Sequence, residues 1–128
     1  MYLEQADADI KVSKSLFTPI GNPTNDEGIT RIGLYLAQQG IELILKHIIH
    51  DINGEDDTKK RFRTHSISSL IEYAEEVSDI TIPTRLKEMS NDITSWEQGG
   101  RYPGIGMTNA REDAEEVFSL YDEIRKSL

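Results

Sequence analysis

From about Asp26 to Ile52 the chain runs without a proline, and no other stretch limits its fold so strongly. Stepped at ~100° per residue, Ile29, Ile32, Gly33, Leu34, Leu36, Gly40, Ile41, Leu43, Ile44, Leu45 and Ile48 cover a continuous apolar arc of roughly 220°. A helix apolar over that much of its circumference must be covered on at least two sides, which predicts a central helix inside a bundle. Gly33 and Gly40 each cost ~1 kcal/mol relative to alanine in an exposed helix, so they point to a second helix that approaches closely. The pair Asn53-Gly54, suited to left-handed backbone, closes the segment.

Four further segments carry helical periodicity, and the alternation of strands is nearly absent. The first runs from about Leu3 to Phe17 with Leu3, Ala6, Ile10, Ser13 and Phe17 on one face, and Pro19, Gly21 and Pro23 stop it. A polar loop from Glu55 to Arg63 leads to a helix with Ile67, Leu70, Ile71, Ala74 and Val77 as its buried stripe and Ser66 or Thr64 as its cap. Pro83 opens the next, with Leu86, Met89, Ile93 and Trp96 on one face and Gly99-Gly100 at its end. The last starts at Asn109, which is expected to cap while Glu112 reaches back. Its stripe is Ala110, Ala114, Val117, Tyr121, Ile124 and Leu128. Ile80-Thr81-Ile82 is the one place where a strand competes, and three residues make a weak case for it. The expected fold is all-α, an up-and-down antiparallel bundle of four to five helices in a single domain spanning residues 1–128.

The chain has no cysteine, which removes thiol chemistry, thiolate metal ligands and disulfides. No apolar run is long enough for a membrane span, and the acidic start Met1-Tyr2-Leu3-Glu4 is unlike a basic signal peptide, so the chain reads as cytoplasmic. A formal net charge of −9 repels phosphate backbones and argues against general nucleic-acid binding. Lys59, Lys60, Arg61 and Arg63 crowd together all the same. They read either as a local basic patch or as a solvated loop balancing Glu55, Asp56 and Asp57.

The polar residues of the central segment share one side: Arg31, Tyr35, Gln38, Gln39, Glu42 and Lys46. One reading is a solvated stripe with a Glu42 to Lys46 pair at i,i+4, contributing ~0.2 to 0.5 kcal/mol. The other is a strip that faces a groove or a second subunit and pairs with polar groups from the loop around Arg101.

Four pieces in order then resemble one family. Tyr2 to Asp9 is similar to a first helix, Gln38-Gln39-Gly40-Ile41-Glu42 to Lys46 to a central motif of glutamine, small residue, glutamate and lysine, Thr64-His65 to a threonine-histidine element, and Arg101-Tyr102-Pro103 to an arginine-tyrosine-proline loop. This order resembles the HEPN family of helical domains. The resemblance implies a bundle of four or five helices, commonly dimeric, in which some members are metal-independent ribonucleases and others are non-catalytic, binding nucleotides or partnering small nucleotidyltransferases. In the ribonuclease branch an arginine and a following histidine have four to six residues between them, near the last helix. Here Arg101 has Gly106, Met107 and Thr108 at those positions, and Arg61 and His65 stand one residue too close.

The expectation is therefore a non-catalytic binding module for a nucleotide or phosphorylated ligand, a homodimer or a nucleotidyltransferase partner, with Arg31, Glu42, Lys46, His65, Arg101 and Tyr102 at its ligand site. The alternatives are a metal-independent ribonuclease, with His65, Arg61 and Arg101 as its candidates, and a purely structural interaction domain; His65 otherwise reads as a residue at the mouth of a helix that bonds a backbone group. His47, His50 and Asp51 have separations that suit a metal on one helix, but no second cluster completes a ligand set, and they read as structural. The glycine-rich stretch Gly99 to Gly106 lacks the strand, lysine and hydroxyl residue of a phosphate-binding P-loop. No cofactor is expected.

Overall fold

The computed structural model describes residues 1–98 and 109–128, and these form α1 (Tyr2–Leu16), α2 (Glu27–Lys46), α3 (Ile67–Val77), α4 (Thr84–Ser95) and α5 (Ala110–Ser127). The described residues are all-helical, a bundle around α2, with no strand at Ile80 to Ile82. The backbone N–H of Ile82 instead donates to Glu75 Oε2 at 3.1 Å, and the Ile82 side chain is buried in the common core.

The tightest seam is α1 against α2. A Cβ on Gly33 would stand 2.6 Å from the Phe17 ring, and one on Gly40 2.5 Å from the Ile10 side chain, so both glycines are where a neighbouring helix occupies the space of a side chain. Phe17 meets Gly33 and Ile10 meets Gly40, which makes the two helices antiparallel. Ser13 ties them further by donating its hydroxyl to the Gly33 carbonyl at 2.6 Å in the buried interface. α3 and α4 also run antiparallel, linked at one end by the Ile67 N–H on Thr94 Oγ1 and at the other by the Lys87 to Glu75 ion pair. α5 closes the bundle across α1, α2 and α4, where Tyr121 and Arg125 hold Asp7 of α1.

Four local expectations need correction. The central segment is not one α-helix to Ile52: after Lys46 the last six residues, His47–Ile52, widen into a π-helical turn. Asn53 Nδ2 bonds the Ile48 carbonyl at 2.7 Å, and Gly54, at φ 70°, takes the left-handed conformation that closes the segment. The buried face of α2 is also rotated from the apolar arc. It takes in Gln38 and Glu42, while Ile32 is 56% exposed beside exposed Tyr35, because α1 packs on the glycine side rather than over Ile32. Finally, Asn109 stands at the N-cap of α5 but makes no side-chain cap bond. Its ψ of 17° lacks the extended geometry that aims a side-chain oxygen at the first amides. Asp26 and Ser66 have that geometry, and their side chains accept from Ile29 N–H and Ser69 N–H. Leu128, expected on the α5 stripe, lies beyond the end of the helix and is exposed.

Candidate functional site

The site begins with a carboxylate that α2 carries inward. Glu42 is 3% exposed, and burying it requires that both oxygens find partners. Gln38, one turn earlier, donates Nε2 to Oε1 at 2.9 Å, and Lys46, one turn later, places Nζ 3.0 Å from Oε2. The third partner comes from the mouth of α3, where His65 Nδ1 lies 2.9 Å from Glu42 Oε1. Gln39 extends the chain by donating Nε2 to Gln38 Oε1 at 2.9 Å. The solvated-stripe reading of Gln38 and Glu42 is thereby replaced: these two are core residues with a complete set of partners.

Local sequence fixes His65 in this position. Thr64 Oγ1 accepts from Ser66 N–H at 3.1 Å and Ser66 caps α3, so the residue between them is held just ahead of the first turn. Its side chain is 61% exposed. Among the described residues its ring makes no backbone bond of the kind expected, and it is anchored to a carboxylate by one nitrogen.

Around this anchor lies a cleft of about 330 Å³, lined by Tyr2, Lys46, Asp57, Phe62, Arg63 and His65. Lys46 Nζ sits 5.3 Å from the centre of the Phe62 ring, and Tyr2 meets Phe62 edge-on at 5.7 Å. Arg63 is exposed and forms no ion pair among the described residues. In a chain of net charge −9, one cleft thus gathers Lys46, Arg63, an imidazole and two aromatic rings around a single lining carboxylate, Asp57.

Of the residues expected from sequence, the fold brings Glu42, Lys46 and His65 together. It separates Arg31, which lies eleven residues before Glu42, about 16 Å along the helix at the usual rise. Arg31 pairs with Glu27 on its own helix, and its Nε is buried with no partner among the described residues. Arg61 turns away to α3, bonding Glu76 and stacking its guanidinium 4.1 Å from the Tyr73 ring. The basic loop is therefore divided, with Arg61 neutralised by α3 and Arg63 lining the cleft. Arg101 and Tyr102 lie outside the described residues.

Sequence reasoning missed Tyr2, Asp57 and Phe62. Phe62 did leave a signal, an aromatic residue set inside the polar run Lys59-Lys60-Arg61-Phe62-Arg63, and it is 3% exposed. His47, His50 and Asp51 do not converge. His47 Nδ1 meets Asp51 Oδ2 at 2.9 Å, whereas His50 Nδ1 is bound to the Glu55 carbonyl at 2.7 Å. Among the described residues no cluster of His, Asp and Glu has the arrangement to hold a metal. Burial alone would raise Asp51, but the bond and charge of His47, with the nearby N-terminal amino group and the Tyr2 N–H, hold its carboxyl below the usual range.

No described helix is long and apolar enough to cross a membrane. Comparison with curated proteins and with solved structures finds no match. The family model described as HEPN domain matches residues 1–128, the whole chain, and the protein belongs to the HEPN domain family.

Proposed function

We propose that this HEPN domain is a binding module for a phosphorylated ligand, a nucleotide above all, held in the cleft between the N-terminus of α1, the end of α2 and the mouth of α3. The observation that carries this reading is the clustering of Lys46, Arg63 and His65 with Tyr2 and Phe62 in one cleft of an acidic chain. The cations suit a phosphate, and the half-buried Tyr2 ring, backed by buried Phe62, suits the face or edge of a base. Buried Glu42 fixes two of these groups, Lys46 and His65, before any ligand arrives, which reduces the ordering that binding must impose. Exposed Ile32 and Tyr35 on α2 offer apolar contact to a second copy or to a nucleotidyltransferase partner.

Calorimetric titration of adenosine 5′-monophosphate tests the ligand reading, with adenosine as the uncharged control. Binding of the monophosphate should fall about tenfold in Arg63→Gln, the loss of one charge-assisted contact of ~1.4 kcal/mol, and stay within about twofold in Lys60→Gln. Equal affinity in both variants, or tighter binding of adenosine, contradicts it.

One observation favours a second reading. His65 is exposed, and Glu42 holds one of its nitrogens; a carboxylate that fixes the tautomer and orientation of an imidazole is also the arrangement of a proton-transfer group. RNA cleavage in a chelating buffer that disappears in His65→Gln would establish ribonuclease action in place of simple binding.

A further inference from the structure

His50 stands behind the cleft, and its ring touches three of the groups that form the cleft wall. Tyr2 meets it edge-on at 6.0 Å, Phe62 lies at 5.9 Å, and Asp57 Oδ2 is 3.7 Å from Nε2. Its other nitrogen, Nδ1, is 2.7 Å from the Glu55 carbonyl oxygen. A carbonyl can only accept, so Nδ1 carries a proton in both charge states and Nε2 is the atom that gains or loses one. Protonated, the ring sets a positive charge 3.7 Å from the Asp57 carboxylate, an ion pair rather than a hydrogen bond; neutral, it turns a lone pair on that carboxylate. The π-helical turn His47–Ile52 sets this geometry, and π turns recur where a helix has been adapted to place a particular side chain.

We propose that His50 is a positioning residue of the cleft, whose proton determines whether Asp57 is held back against the ring or released toward the bound anion. The proposal rests on the phosphate reading of the cleft. The groups facing His50 are Asp51 on its own turn, Tyr2 from α1, and Asp56 and Asp57 from the following loop, while Lys46, one turn earlier, is committed to Glu42 and the Phe62 ring. The Glu55 carbonyl does most to hold the imidazolium above the ordinary histidine range. Burial opposes it, and the Asp57, Asp51 and Asp56 charges add to it. The ring is therefore charged below about pH 6.5 and keeps its proton somewhat above that. As pH rises through the raised value, Asp57 loses its partner and sets an uncompensated negative charge beside Lys46, Arg63 and His65. Affinity for an anion then falls as pH rises.

The test uses the full chain. Amide and imidazole NMR spectra without ligand, followed from about pH 5.5 to 9, should show the His50 ring titrating with the Asp57 and Phe62 amides at one shared midpoint. In His50→Gln those amides should lose that pH dependence while the remaining amide pattern persists. Adenosine 5′-monophosphate affinity should fall about three- to tenfold more between roughly pH 6.5 and 8.5 in the native chain than in His50→Gln, which keeps His65 and the phosphate unchanged. The phosphate's own ionisation, with its second pKa near 6, acts in the opposite direction and so cannot mimic this result. Asp57 and Phe62 amides that ignore the His50 ring, or an affinity slope equal in the native chain and His50→Gln, overturn the proposal. If the nucleotide fails to bind at every pH, the ligand reading falls, and the coupled titration of ring and amides alone decides the role of His50.

Discussion

Where α2 meets α1, Gly33 and Gly40 offer bare backbone to Phe17 and Ile10; where it meets His65, the same helix buries a carboxylate, an amide and most of an ammonium chain. The first contact is governed by shape: a single added carbon would overlap a neighbouring helix. The second is governed by charge, since a buried carboxylate is tolerated only while Gln38, Lys46 and His65 hold it. Apolar seams can be rebuilt with other residues of similar volume. A buried ionic cluster cannot lose one member without stranding the rest, so its retention in a chain this size needs a reason beyond stability. The cleft it supports supplies one.

Substitutions on the two sides should separate in size. Glu42→Ala strands the Lys46 ammonium and the Gln38 amide and should cost about 3 to 5 kcal/mol by chemical denaturation, the largest effect of the set. A loss below about 1 kcal/mol would mean that water already serves this carboxylate. Gly40→Val on the opposite side should cost about 1 to 3 kcal/mol through overpacking against Ile10. In a double-mutant cycle with Ile10→Ala the combined loss should be clearly less than the sum, because the smaller side chain makes room for the valine; strict additivity would show that the two do not meet. The smallest contrast lies between two helix starts. Ser66→Ala should cost about 1 kcal/mol, whereas Asn109→Ala should stay within about 0.5 kcal/mol, because only Ser66 makes its cap bond.

The shape-governed side was legible in the sequence and the charge-governed side only in part. Gly33 and Gly40 announce close packing because glycine in a helix interior is unfavourable unless something needs the space. The five helices followed from apolar spacing in the same way. For Glu42 periodicity misled: a wheel ranks residues by polarity, and it cannot show that Gln38, Lys46 and His65 neutralise a carboxylate well enough to bury it. The pairing of Glu42 with His65, 23 positions apart, needed the tertiary fold, although the resemblance to HEPN domains had named both residues. Tyr2 and Asp57 carry no local signature at all, since their role comes from where α1 begins and how the loop after Gly54 returns. The cap at Asn109 failed for a related reason: residue type suits a cap, but backbone angle decides whether one forms.

Chemical-shift mapping decides whether the Lys46, Arg63 and His65 cleft is the anion site. Titrating adenosine 5′-monophosphate into isotopically labelled protein should move the resonances of Tyr2, Lys46, Phe62, Arg63 and His65 together, in one saturating phase. Shifts centred instead on the separate cavity lined by Asn22, Asn25, Thr30 and Arg111, with the His65 region unmoved, would contradict it.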